Sequence, residues 1–161
     1  MTRSACTAGE LCIRDVAVAS PTTSVDDAAR RMRALHVGCL VVVEDVAAPD
    51  PDADAGRTVV GVLTDRDIVT SVIARDVAPS ALRVGEVMTA DVTCVPQDAS
   101  IADTLTAMRL RGVRRVPVVG PDRRLVGIVA ADDLMRVLTG QLLSLASTLG
   151  EQPEIERAAR P

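Results

Sequence analysis

The feature that most restricts this chain is a short sentence written twice. Residues 60–68 read Val-Gly-Val-Leu-Thr-Asp-Arg-Asp-Ile, an apolar run that closes on Thr64-x-x-Asp67 and passes at once into helical spacing. Residues 126–134 read Val-Gly-Ile-Val-Ala-Ala-Asp-Asp-Leu, a degenerate copy. Upstream, Asp27, Met32, Arg33, Val37 and Val42 recur 76 positions later as Asp103, Met108, Arg109, Val113 and Val118. Downstream, Val60, Gly61 and Asp67 recur 66 positions later as Val126, Gly127 and Asp133. The drop in offset falls within 44–57, an acidic stretch holding Pro49, Pro51 and Gly56. The second unit replaces it with Gly120-Pro121-Asp122-Arg123. A shared order of segments, with the length change confined to one loop, indicates two copies of one supersecondary unit.

The elements of each copy follow from periodicity and caps. Ser24 is an N-cap with Asp26 and Asp27 in the first turn, and Val25, Ala28, Ala29, Met32 and Leu35 mark one buried helix face. Residues 40–43 form a fully apolar strand, 58–63 the next strand, and 65–76 a helix with Ile68, Val69, Val72 and Ile73 on one side. In the second copy 91–96 is a strand, Ser100 an N-cap, and Ile101, Leu105 and Met108 the helix face. The fold expected is α+β, two β-α-β-β-α repeats. Their bounds are a flexible N-terminal arm over 1–10, repeat 1 over 11–78, a linker over 79–83 and repeat 2 over 84–139. A C-terminal helical extension and disordered tail fill 140–161, and the extension exposes Leu142, Leu143 and Leu145 as an apolar surface for a homodimer.

Composition removes whole classes of chemistry. The chain has no Phe, Trp, Tyr, Lys or Asn, and all 18 basic residues are Arg. The core must be built from Val, Leu, Ile, Ala and Met. A phosphate-binding P-loop and a Schiff-base enzyme both need a lysine, and single-stranded nucleic-acid platforms need aromatic rings. A net charge of −4 also argues against nucleic acid as a partner. The longest apolar run, 37–43, is too short to span a bilayer, and no signal segment opens the chain, so cytoplasm without membrane contact is expected. Cys6, Cys12, Cys39 and Cys94 form no C-x-x-C pair, and the acidic loop lacks calcium-loop spacing, so no metal site is expected. His36 with Cys39 has no evident third group to make a nucleophile pair, and helix-end placement suits His36 to a capping role. No enzyme chemistry is expected.

The motif Gly-apolar-apolar-Thr-x-x-Asp-apolar after a strand, present twice, with Arg115-Val116-Pro117-Val118-Val119 in the preceding strand, resembles a tandem pair of CBS domains (a Bateman module). The similarity covers roughly residues 11–139 and extends to small bacterial proteins that consist of little besides such a pair. It implies a pseudo-twofold pair with two clefts. Many members bind adenosine-containing ligands such as AMP, ADP, ATP, S-adenosylmethionine or NAD, and others bind nothing known. By that resemblance Asp67 holds a ribose and Thr64 contacts ribose or phosphate, while Asp133 inherits only the first role because Ala130 replaces the hydroxyl. Arg115, beside Val116 and Pro117, would reach a phosphate; its counterpart in the first repeat is Cys39. Arg66 is a further candidate anion contact. Spacing alone leaves an alternative open, because Thr64-x-x-Asp67 is equally a capping box that needs no ligand. Two functions are therefore expected to compete. One is a regulatory module binding an AMP-, ADP- or ATP-type nucleotide and signalling to an unknown protein partner, with no cofactor required. The other is a ligand-free scaffold for dimerisation or protein interaction.

Overall fold

Both long amphipathic helices begin where a serine caps them: Ser24 Oγ accepts from the Asp27 N–H and Ser100 Oγ from the Asp103 N–H, each at 3.1 Å. Both end on a left-handed residue, His36 at φ 55° and Gly112 at φ 64°, whose N–H groups return to the last turn. In this computed structural model, which describes residues 6–45 and 56–158, the elements run α1 (Ala8–Leu11), β1 (Val18–Ala19), α2 (Val25–Leu35), β2 (Cys39–Asp45), β3 (Arg57–Thr64), α3 (Asp65–Ser71), α4 (Val84–Val87), β4 (Val95–Pro96), α5 (Ile101–Arg111), β5 (Arg115–Val119), β6 (Leu125–Ala130) and α6 (Ala131–Ala158). The acidic loop expected over 44–57 lies outside the described residues from 46 to 55.

The strands form two three-stranded sheets of the same design. In the first, β2 is central, parallel to β1 and antiparallel to β3; in the second, β5 is central between β4 and β6 in the same senses. The registers agree in detail. Cys39 faces Thr64 as Arg115 faces Ala130, and the ladder slips after Val42 as it slips after Val118. Alternation along the central strands sends Leu40 and Val42 into one repeat's core, and Val116 and Val118 into the other's. A third cluster of Val41, Val43 and Val59, flanked by Val119, Leu125 and Ile128, joins the two sheets. The buried apolar residues are all Ala, Val, Leu, Ile and Met.

Each repeat begins inside the other. Ala8 of α1 is 1% exposed and packs with Val116, Val118 and Leu134 of the second repeat, whereas Val84 of α4 is fully buried among Val25, Leu40 and Leu63 of the first. The backbone pairings match: Ala8 N–H donates to Ala99 O and Val84 N–H to Thr23 O, both at 2.9 Å. The flexible arm expected over 1–10 is thus corrected over the described part, because Thr7 caps α1 in a capping box with Glu10 and the helix is clamped to the 97–100 turn. Residues 1–5 lie outside the described residues.

Other boundaries shift as well. The helix expected over 65–76 stops at Ser71 and gives way to a 3-10 turn at Ile73–Arg75, which Asp76 ends at φ 55°. Of the strand expected over 91–96 only Val95–Pro96 pairs. The disordered tail expected within 140–161 is replaced, as far as Ala158, by a single helix α6 that runs on from the second repeat without a break at Thr139-Gly140. Pro117, whose missing N–H suits a sheet edge or a cleft-facing position, sits in the central strand β5 and lines a cleft. The sheet accommodates it by shortening: the counterpart bond in the first repeat, Val41 N–H to Ala17 O at 3.0 Å, has no donor at Pro117, and β4 begins pairing only at Val95.

Candidate ligand clefts

The motif glycines build the clefts. A methyl group on Gly61 would meet Met88 Sδ at 2.6 Å and Thr89 O at 3.0 Å; on Gly127 it would run into Cys12 Sγ, and into Cys12 Cβ and Ile13 O at 2.8 Å. Without side chains there, the segment after α4 bridges to β3 at Val62, and the segment after α1 bridges to β6 at Ile128. Each segment then forms one wall of a cleft whose other wall carries the motif aspartate.

The first cleft has two connected parts. One, about 340 Å³, is lined by Thr64 and Asp67 with Val62, Val92, Thr93 and Val113. The other, about 430 Å³, shares Val62, Thr64, Val113 and Arg115 and adds Asp65, Arg66, Arg114 and Pro117; through Gly38, Cys39, Arg115 and Ile128 it also borders the second cleft. A slot walled by three valines and three threonines, with Asp67, Asp91 and Arg111 at its sides, therefore opens into an end bearing Arg66, Arg114 and Arg115 against Asp65. The second cleft, about 410 Å³, is lined by Asp133 and Arg136 of α6, Ala130, Ile128, residues 13 and 15–17, His36–Cys39 and again Arg115.

The two aspartates are held differently. Asp67 Oδ2 accepts from Thr64 N–H at 2.9 Å and Thr64 Oγ1 at 2.7 Å, while Asp67 N–H donates to Thr64 Oγ1 at 3.2 Å. This is a complete capping box. Asp133 has no such partner, since Ala130 carries no hydroxyl; its Oδ1 takes Arg136 Nη2 at 2.9 Å, with 22% of its side chain exposed.

Of the residues singled out in the sequence, Thr64, Asp67, Arg66, Arg115 and Pro117 meet around the first cleft, and Asp133 faces the second. Val116 does not join them. It is fully buried in the second core, because alternation turns it away from the face shared by Arg115 and Pro117. Sequence reasoning missed the wall segments. Their signal is the 76-residue offset continued backwards: Gly9, Glu10, Asp15 and Val16 recur as Gly85, Glu86, Asp91 and Val92.

Cys39 lies where the clefts meet. Burial pushes its thiol above the ordinary value of 9.0; the Arg115 charge opposes this, and Asp67 and Asp65 reinforce it. A thiol held protonated is a poor nucleophile. Among the described residues no group of three or more His, Cys, Asp or Glu is arranged to hold a metal.

The family model described as CBS domain matches residues 8–74 and 84–140. The chain belongs to the CBS domain family. Its two matches coincide with the two repeats, and the first begins at α1. An uncharacterized protein of Methanopyrus kandleri, MK0525, is 30% identical over 129 residues, 80% of this chain; the chain spans 61% of that relative's length. Hypoxic response protein 1 of Mycobacterium tuberculosis is 42% identical over 78 residues, 48% of this chain and 54% of that one. Among solved structures, Hypoxic Response Protein I with two coordinated zinc ions superposes with a TM-score of 0.65 at 32% identity, over 81% of this chain and 97% of that one. The CBS domain pair of protein MJ0100, in complex with 5'-methylthioadenosine and S-adenosylmethionine, superposes with a TM-score of 0.68 over 85% of this chain and 98% of that one. At 23% identity this likeness speaks for the fold alone.

Proposed function

We propose that this chain is a non-enzymatic, cytoplasmic regulatory module that binds an adenosine-containing nucleotide of the AMP, ADP or ATP type in the first cleft. The observation that carries this reading is the two-part shape of that cleft. Purine and ribose suit the slot of Val62, Val92 and Val113 beside Asp67, and phosphate suits the end lined by Arg66, Arg114 and Arg115. The complex of the MJ0100 pair with two adenosine-containing ligands agrees with it. Signalling follows if the ligand binds one arrangement of the two repeats better than another, since the cleft walls come from both. Isothermal titration with AMP, ADP and ATP tests the reading. Micromolar binding is expected, with a loss of about tenfold or more in Asp67→Ala, because a hydrogen bond to a charged group is worth about 1.5–3 kcal/mol. No binding below millimolar, or binding indifferent to Asp67→Ala, refutes it.

One observation favours the ligand-free scaffold. The Asp67 oxygen best placed by the cap is already taken twice by Thr64. A ribose would have to use the other oxygen or displace a bond worth about 1 kcal/mol. Purified protein carrying no nucleotide by mass spectrometry, and gaining no thermal stability from any, would favour that alternative. In either case a homodimer is proposed, since Leu142, Leu143 and Leu145 on α6 are 67%, 65% and 57% exposed.

A further inference from the structure

One arginine serves two clefts. Arg115 lines the second cleft and both parts of the first. It makes no ion pair with any described residue, unlike most cations around it. Arg136 is held by Asp133 at 2.9 Å, Arg111 faces Asp91 at 3.5 Å and Arg114 faces Asp132 at 3.9 Å. Among the described residues the first cleft has Arg66 as a second guanidinium without an ion pair, whereas the second cleft has Arg115 alone. The remaining charges of the second cleft are Asp15, Asp132 and Asp133 against Arg136. The second cleft thus carries three carboxylates against two guanidiniums with Arg115 and three against one without it, so with Arg115 turned to the first cleft an anion entering the second meets the stronger net repulsion and no unpaired cation.

The asymmetry has a visible origin. Register places Cys39 opposite Thr64 as it places Arg115 opposite Ala130. A symmetric pair would carry two arginines at this junction, and here one of the two positions is a thiol.

We propose that Arg115 is a phosphate contact shared by the two clefts, so that a phosphorylated adenosine ligand in the first cleft excludes a second from the other, which then admits an adenosine without phosphate. This rests on the nucleotide reading of the first cleft and adds its coupling. By linkage the exclusion is reciprocal: whatever factor the first ligand imposes on the second, the second imposes on the first.

Calorimetric titration and native mass spectrometry of the full chain, with AMP and adenosine as probes, test the sharing. One AMP per chain is expected to bind, with a second at least about tenfold weaker. Adenosine is expected to add to the AMP-saturated chain. Arg115→Gln should weaken the first AMP while leaving adenosine binding in place. Cys39→Arg supplies the missing guanidinium and should bring the two AMP affinities to within about threefold of each other. Two equal and independent AMP sites in the unaltered chain overturn the sharing and leave the nucleotide reading standing, as does adenosine failing to add beside AMP. If neither probe binds, the nucleotide reading falls and the sharing with it. The stoichiometry of the unaltered chain decides the matter even if Cys39→Arg does not fold.

Discussion

The two repeats share a backbone and differ at the points where a ligand would touch them. Sheet order, register, ladder slip and the helix ends at His36 and Gly112 coincide. Within that common frame Thr64 is matched by Ala130 and Cys39 by Arg115. The backbone pattern answers to burial, and a valine, leucine or isoleucine can serve it at any core position. The cleft residues answer to nothing in the core, so they are free to diverge. One consequence is that the carboxylate with a full capping box is the one beside the basic end, and the carboxylate without it is paired to an exposed arginine.

Substitutions that exchange the two sides can break or sharpen this contrast. The largest effect is expected at the glycines. Gly127→Ala drives a methyl group onto Cys12 Cβ and the Ile13 carbonyl, neither of which can step aside, and should cost about 1–3 kcal/mol in urea unfolding. Gly61→Ala meets chiefly the end of the Met88 side chain, which can turn away, so its cost should fall at the low end of that range. Equal costs at the two glycines would show that the wall segments are not held as tightly as their bridges suggest.

The next effect concerns the caps. Thr64→Ala gives the first repeat the second repeat's alanine and should destabilise by about 0.5–2 kcal/mol. Ala130→Thr makes the reverse exchange. It should stabilise by about 1 kcal/mol, because Asp133 stands where Asp67 stands and can close the same box. Thermal melts of the two variants, moving in opposite directions, are the check; a neutral Ala130→Thr would mean that Arg136 holds Asp133 too firmly to let it cap.

The smallest effect lies at alkaline pH. With Lys and Tyr absent, the thiols are the only side chains that titrate between about pH 8 and 11. Burial raises the Cys39 and Cys94 thiols above 9.0, against a pull from Arg115 and Arg123 respectively. The native state then keeps protons that the unfolded state releases. The stability they contribute is whole below pH 9 and is lost as pH climbs through the folded values. The urea midpoint should hold from pH 7 to 8 and fall by pH 10, and Cys39→Ala should reduce that fall.

Much of the fold was legible in the sequence because burial writes in a period. The repeat of Val60-Gly61 as Val126-Gly127, and the caps Ser24 and Ser100, mark the strands and helices in the chain itself. What was not legible is which repeat a segment serves. Residues 7–12 lack a long apolar stripe and read as an arm, because four helical residues with Ala8 and Leu11 inward are too few to show a period. Their host is the other sheet, and no local pattern names a distant partner. Val116 shows a related failure at the site: adjacency to Arg115 suggested a shared role, but neighbours in a strand face opposite ways. The family resemblance supplied the aspartates and the arginine, and only the three-dimensional arrangement brought residues 13–17 and 89–93 against them.

The crossed placement of α1 and α4 has a consequence for dissection. A fragment cut after residue 78 would keep a helix with no sheet to receive it and expose the seat that α4 fills; a fragment starting at 79 would have the mirror defect. The two halves are therefore neither separable cassettes nor beads on a string. Two copies of one such fragment could complete each other only by trading their first helices, as one chain here does with itself.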